Sequence, residues 1–213
     1  MSRQDIGDVI IAGEGAATDR PVAAPAVQTT LRTMTDRSSL ATIFLDDTAA
    51  TFRRQKELAE RAAAQVDDDE FFRTIDGESN SIAIIVKHIG GNLRSRFTDF
   101  LDSDGEKPDR DRDAEFETPP GTSRPEIMAR WESGWTALFG ALGSLGSEDL
   151  DRTIYIRGEP MYVVGALHRA LAHVAQHVGQ VVMLAKHFRS ADWKTLSIPR
   201  GQSRDWRPSP PAR

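Results

Sequence analysis

Three of the five histidines stand where they could hold one ion. His173 and His177 are four residues apart in an apolar, periodic stretch. Four residues of α-helix turn through about 400° and rise about 6 Å, so both imidazoles leave one face. That is a two-nitrogen platform for a divalent metal, and a third imidazole makes it a facial set with open positions. His88 follows Ile84 and Ile85 beside the apolar stripe of an earlier helical stretch. It either points between helices as the third ligand or is a core histidine bonded to a carbonyl or a water. His168, five residues before His173, lies about 140° away around the helix. His187 lies near the helix end, where a protonated ring favours the C-terminal dipole. Both are read as non-ligands.

Other chemistries lack their residues. An HExxH zinc protease needs a glutamate directly after the first histidine, and that position is Val174. A di-iron carboxylate bundle needs inward Glu-x-x-His pairs, and Glu60, Glu126 and Glu132 form none. No GxGxxG or P-loop motif is present, and Gly90-Gly91 reads as a place of close helix approach. The chain has no cysteine, which excludes disulfides, thiolate ligands and cysteine nucleophiles. Asn92, four after His88, and Gln180, three after His177, fall on the ligand faces. Each either steadies a ligand imidazole or a water on the metal, or is an ordinary polar residue of a helix.

Long helices are needed to position these groups, and the apolar spacing supplies four. They run over about 39–65 (Phe44, Thr48, Phe52, Leu58 or Ala59, Ala62), 80–101 (Ile82, Ile85, Ile89, Leu93, Phe97), 124–145 (Ile127, Trp131, Trp135, Leu138, Leu142) and 161–188 (Val164, Leu167, Leu171, Val174, Val178, Val181, Ala185). Ser38 or Ser39 caps the first, Ser123 caps the third with Pro125 in its first turn, and Pro160 opens the fourth. Asp67 to Glu70 make a short acidic turn. Residues 102–122 are charged, then Pro/Gly-rich, and read as a solvated crossover. Residues 151–158 alternate polar and apolar, as a short extended segment or hairpin arm does. The expected fold is all-α: an up-and-down four-helix bundle with a long crossover and a short extended segment before the fourth helix. Residues 1–37 read as a disordered extension that adds nothing to stability or metal binding, with Met34 a natural start for the domain. Residues 38–189 form the bundle, and 190–213 a tail partly packed on it.

The net charge of −5, from 27 basic and 32 acidic residues, gives no global attraction to nucleic acid or to an anionic membrane. Residues 102–117 carry eight acids against three bases, read as a solvated charge run. The most apolar stretch, 161–185, is interrupted by His168, Arg169, His173, Gln176, His177 and Gln180, too polar to span a bilayer. No signal-like region opens the chain, and a cytoplasmic location is expected. In the tail, Trp193, Leu196 and Ile198 offer apolar anchors. Arg200 either contacts an anionic substrate or belongs to a segment that packs only for stability.

The runs Lys87-His88-Ile89 and Leu171-Ala172-His173-Val174-Ala175-Gln176-His177-Val178-Gly179-Gln180 resemble the DinB/YfiT-like superfamily. More closely, the chain resembles an uncharacterised branch of it, through Asn92 to Phe100, Ile156 to Pro160 and Trp193 to Ser203. The resemblance covers about 38–203. It implies a four-helix bundle with a divalent metal, often zinc or nickel, held by His88, His173 and His177. It further implies thiol-dependent S-transfer or isomerisation with a low-molecular-weight thiol such as mycothiol or bacillithiol. Metal-assisted hydrolysis is the alternative within the enzyme class, and a non-catalytic stress or binding protein on the same scaffold is the alternative outside it. The expected partner is a small molecule. A homodimer is compatible with this reading.

Overall fold

The structure is a computed structural model and describes residues 39–205 and Arg207. The readings made for the extension 1–37, for Ser38 as a cap and for the last residues of the tail fall outside the described residues. The described chain is mostly helical with one small sheet. The elements are α1 (Leu40–Ala63), α2 (Asp68–Phe72), α3 (Ile82–Phe97), α4 (Arg124–Ser144), β1 (Thr153–Ile156), β2 (Glu159–Tyr162) and α5 (Val163–Arg189).

Ser39 caps α1 by accepting from the amide of Thr42 at 3.1 Å. The acidic turn is the short helix α2, closed by a capping box in which Asp67 and Glu70 each accept the other's amide. At α4 the box is one-sided, with Glu126 accepting from the Ser123 amide at 2.7 Å. Helix α3 ends at Phe97, four residues before the expected end at 101. Thr98 turns extended and donates its hydroxyl to Arg94 O, and Asp99 takes a left-handed φ of 47°. Pro160 does not open α5. It lies in β2 opposite Tyr155, in a two-stranded ribbon that tolerates its missing N–H. The helix opens at Val163 instead.

The predicted stripes meet in one core. Phe52, Ile89, Leu93, Trp131, Trp135, Leu167, Val174 and Val178 are all essentially inaccessible. α3 packs against α4 and α5, and α1 against α5. At the α3–α4 crossing two glycines face each other. A Cβ on Gly90 would lie 2.7 Å from Arg130 O, and one on Gly134 would overlap the Gly90 backbone. None of the helices among the described residues is long and apolar enough to cross a membrane.

The stretch between α3 and α4 is largely exposed, as its charge suggests, but it is pinned at several points. Ser95 donates to Gly105 O at 2.9 Å and accepts from the Lys107 amide at 3.0 Å. Lys87 reaches Glu117 O at 2.8 Å. Asp104 accepts the Arg157 and Gly158 amides at 2.8 and 2.7 Å, gripping the hairpin turn where both residues have positive φ. This staple fixes the crossover and the hairpin against one end of α3.

Candidate metal centre

His88 sits midway along α3 and is buried. His173 and His177 sit about the middle of α5, partly buried, on the face turned to α3. The Nε2 atoms of His88 and His173 are 3.2 Å apart, as are those of His177 and His173. All three ligand atoms lie within 4.8 Å of one another. Two nitrogens each about 2.0–2.1 Å from an ion, at octahedral to tetrahedral angles, stand about 2.9–3.4 Å apart. The two close pairs match that spacing. These residues could hold a metal ion, and no fourth histidine, aspartate or glutamate joins the group among the described residues.

The outer nitrogens fix which lone pairs point inward. His88 Nδ1 is 2.9 Å from Glu115 Oε2, and a carboxylate only accepts, so Nδ1 carries the proton. His177 Nδ1 is 2.7 Å from Gln180 Oε1, which accepts likewise. In a ring so oriented, a second proton is the only thing that keeps Nε2 from turning a lone pair toward His173, and a cation between the rings takes the place of that proton. Burial, and then the neighbouring charges of His177 and His88, push the His173 pKa down to about 4. Burial also lowers that of His177, against the hydrogen bond that its Nδ1 donates to Gln180. Both rings are neutral at pH 7, the state ligation requires.

Glu115, which the sequence reading assigned to a solvated acidic run, is buried. Arg110 clamps it with two bonds of 2.8 Å, from Nε to Oε1 and from Nη2 to Oε2. Burial alone would raise the Glu115 pKa, but the bonds from Arg110 and His88 outweigh it and lower it. The carboxylate stays charged and orients His88. Gly91 makes the approach feasible, because a Cβ there would collide with the Glu115 carboxylate. The only local sign of this role is that Ala114 and Phe116 flank one glutamate in an otherwise polar run.

The histidines open into a cavity of about 320 Å3. Asn92 lines it, as its spacing from His88 suggests, beside the aromatic rings of Phe97, Phe100 and Phe116. Gln180 contacts a ligand imidazole instead of the cavity. Arg200 is exposed and does not line it. The tail is held at the far end of α5, where Gln65 bonds both the amide and carbonyl of Lys194 and where Trp193 and Leu196 pack on the core. Helix α5 continues twelve residues past His177, about 18 Å. His168 stands edge-on to Phe44, and neither it nor His187 joins the three-histidine group.

No curated protein matches the chain. A family model does, that of Protein of unknown function (DUF1572), over residues 39–202, and the chain belongs to that family.

Proposed function

We propose that this member of the DUF1572 family is a divalent-metal-dependent enzyme built on a DinB/YfiT-like four-helix bundle. α1, α3, α4 and α5 would be the bundle helices, and the reaction would be S-transfer or isomerisation with a low-molecular-weight thiol. The observation that carries the reading is the convergence of three Nε2 atoms beside a cavity, with two of the outer nitrogens held by Glu115 and Gln180. Three neutral imidazoles suit zinc or nickel. A divalent ion, when bound, supplies Lewis acidity that lowers the pKa of a thiol or water brought to its open position.

The chain's own residues favour a thiol over water. No aspartate or glutamate lines the cavity among the described residues, so a general base for water is lacking there, whereas a thiol activated by lowered pKa needs none. With no cysteine in the sequence, the thiol comes from outside. Glu115 and Gln180 hold the imidazole planes, Asn92 offers a polar contact beside them, and the phenylalanine rings exclude water. The test is metal analysis of the purified chain, followed by thiol titration of the cobalt-substituted form. One equivalent of metal per chain, lost in His173→Ala, and a thiolate-to-cobalt absorption band are expected. Failure to retain zinc or nickel after reconstitution would overturn the reading. Metal without a thiol band would leave the hydrolytic or non-catalytic alternatives.

A further inference from the structure

Four guanidinium groups, those of Arg96, Arg112, Arg157 and Arg169, line the cavity into which the histidines open. One carboxylate outside it serves most of them. Glu106 Oε2 lies 3.1 Å from Arg96 Nη2, 3.3 Å from Arg157 Nε and 4.0 Å from Arg112 Nη1, and 3.6 Å from Arg110 Nη1 behind them. Arg169 is exposed and has no ion-pair partner among the described residues. The cavity therefore carries a surplus of positive charge before any metal is counted.

Arg96 makes this more than a basic surface. Its side chain is only 10% exposed, yet its Nη1 is buried with no hydrogen-bond partner. A buried N–H of a charged group left unpaired is costly and asks for an acceptor. Burial, and then repulsion from Arg110, Arg169 and Arg157, lowers the Arg96 pKa against the pull of Glu106. An anion in the cavity answers both the missing bond and the repulsion.

The helices set out these groups in order. On α3, His88, Asn92 and Arg96 follow at four-residue steps, and on α5 His177, His173 and Arg169 follow in reverse. Histidines thus form one end of the cavity and guanidiniums the other, about 6 Å apart along α5 and about 12 Å along α3. Phe97, Phe100, Ala166 and Ala170 wall the space between. A volume of about 320 Å3 is at the small end for ligand sites.

We infer that this cavity binds a small organic anion, with a carboxylate or phosphate head gripped by Arg96, Arg157 and Arg169 and a short apolar body extending toward the histidines. The assignment of the body as the reacting end rests on the metal-site reading above. The grip on the head does not.

Isothermal titration calorimetry on the full chain at low salt, metal-free and zinc-loaded, tests it. The probes are phenylacetate, phenyl phosphate and the neutral phenylacetamide. One of the two anions should saturate a single site and the amide should not. The tighter of the two assigns the head group. Arg169→Ala should weaken binding by about tenfold or more, while zinc stoichiometry stays unchanged. Arg169 is exposed, so its loss does not threaten folding, and Arg96→Gln is the second variant. Equal affinity in both variants, or amide binding as tight as the anions, would overturn the proposal. So would binding seen only with zinc and indifferent to both arginines, which would put the anion on the metal. Arginine-dependent binding in a chain that takes up no metal would sustain this inference while the metal reading fails.

Discussion

At the scale of single residues, two ligand rings are held from outside, His88 by Glu115 and His177 by Gln180. A four-residue spacing in a helix fixes a shared face whatever the rest of the chain does, so His173 and His177 could be paired from sequence, and Gln180 with them. Glu115 comes from a loop whose acids outnumber its bases, and only a tertiary clamp by Arg110 turns one of those acids inward. Glu115→Gln keeps the shape but weakens both bonds. Metal affinity, read by competition with a chelator, should fall by about 10- to 100-fold. Gly91→Ala should do the same by displacing the carboxylate, and an unchanged affinity in both would remove Glu115 from the site. The lowered pKa values of His173 and His177 also carry a sign. The unfolded chain takes up these protons near the ordinary histidine pKa of about 6.5, whereas in the fold His173 resists protonation down to about 4. Stability of the metal-free protein should therefore be level above about pH 6.5 and decline from there toward pH 4. Thermal melts across that range check it, and His173→Gln should flatten the slope.

At the scale of elements, periodicity located every long helix because each buries a continuous stripe. It mistook the start of α5, since a proline reads equally well as a first-turn residue and as an edge-strand residue. Pairing with Tyr155 decides for the strand. Glycine-rich α3 and α4 show the same dependence on context. Gly134→Ala should lower stability by about 1–3 kcal/mol, because its Cβ would overlap the backbone of Gly90. Gly140, on the same helix, is exposed with nothing near its absent Cβ. Gly140→Ala should raise stability by up to about 1 kcal/mol. Urea titration of the pair checks both signs, and equal effects would mean that the crossing is looser than described.

At the scale of the whole molecule, the tail and the site belong to different ends. The anchoring residues Trp193 and Leu196 could be guessed from their apolar character, but which end of α5 they reach is set by Gln65, in the turn just after α1, a contact 129 residues away that no local pattern encodes. Trp193→Ala should therefore lower the melting midpoint while leaving metal affinity unchanged, and Arg200→Ala should change neither metal nor anion binding. A loss of metal affinity in Trp193→Ala would couple the two ends.

The two close nitrogens of His88 and His173 are 85 residues apart in the chain, and the crossover and hairpin that brace them lie in between. Contacts of such long sequence separation form late, after loop closure has been met. The place for an ion is therefore complete only once α3 has docked on α5. Cobalt absorbance, followed during refolding, should lag the helical signal, and the interval between the two would time the docking of α3 on α5.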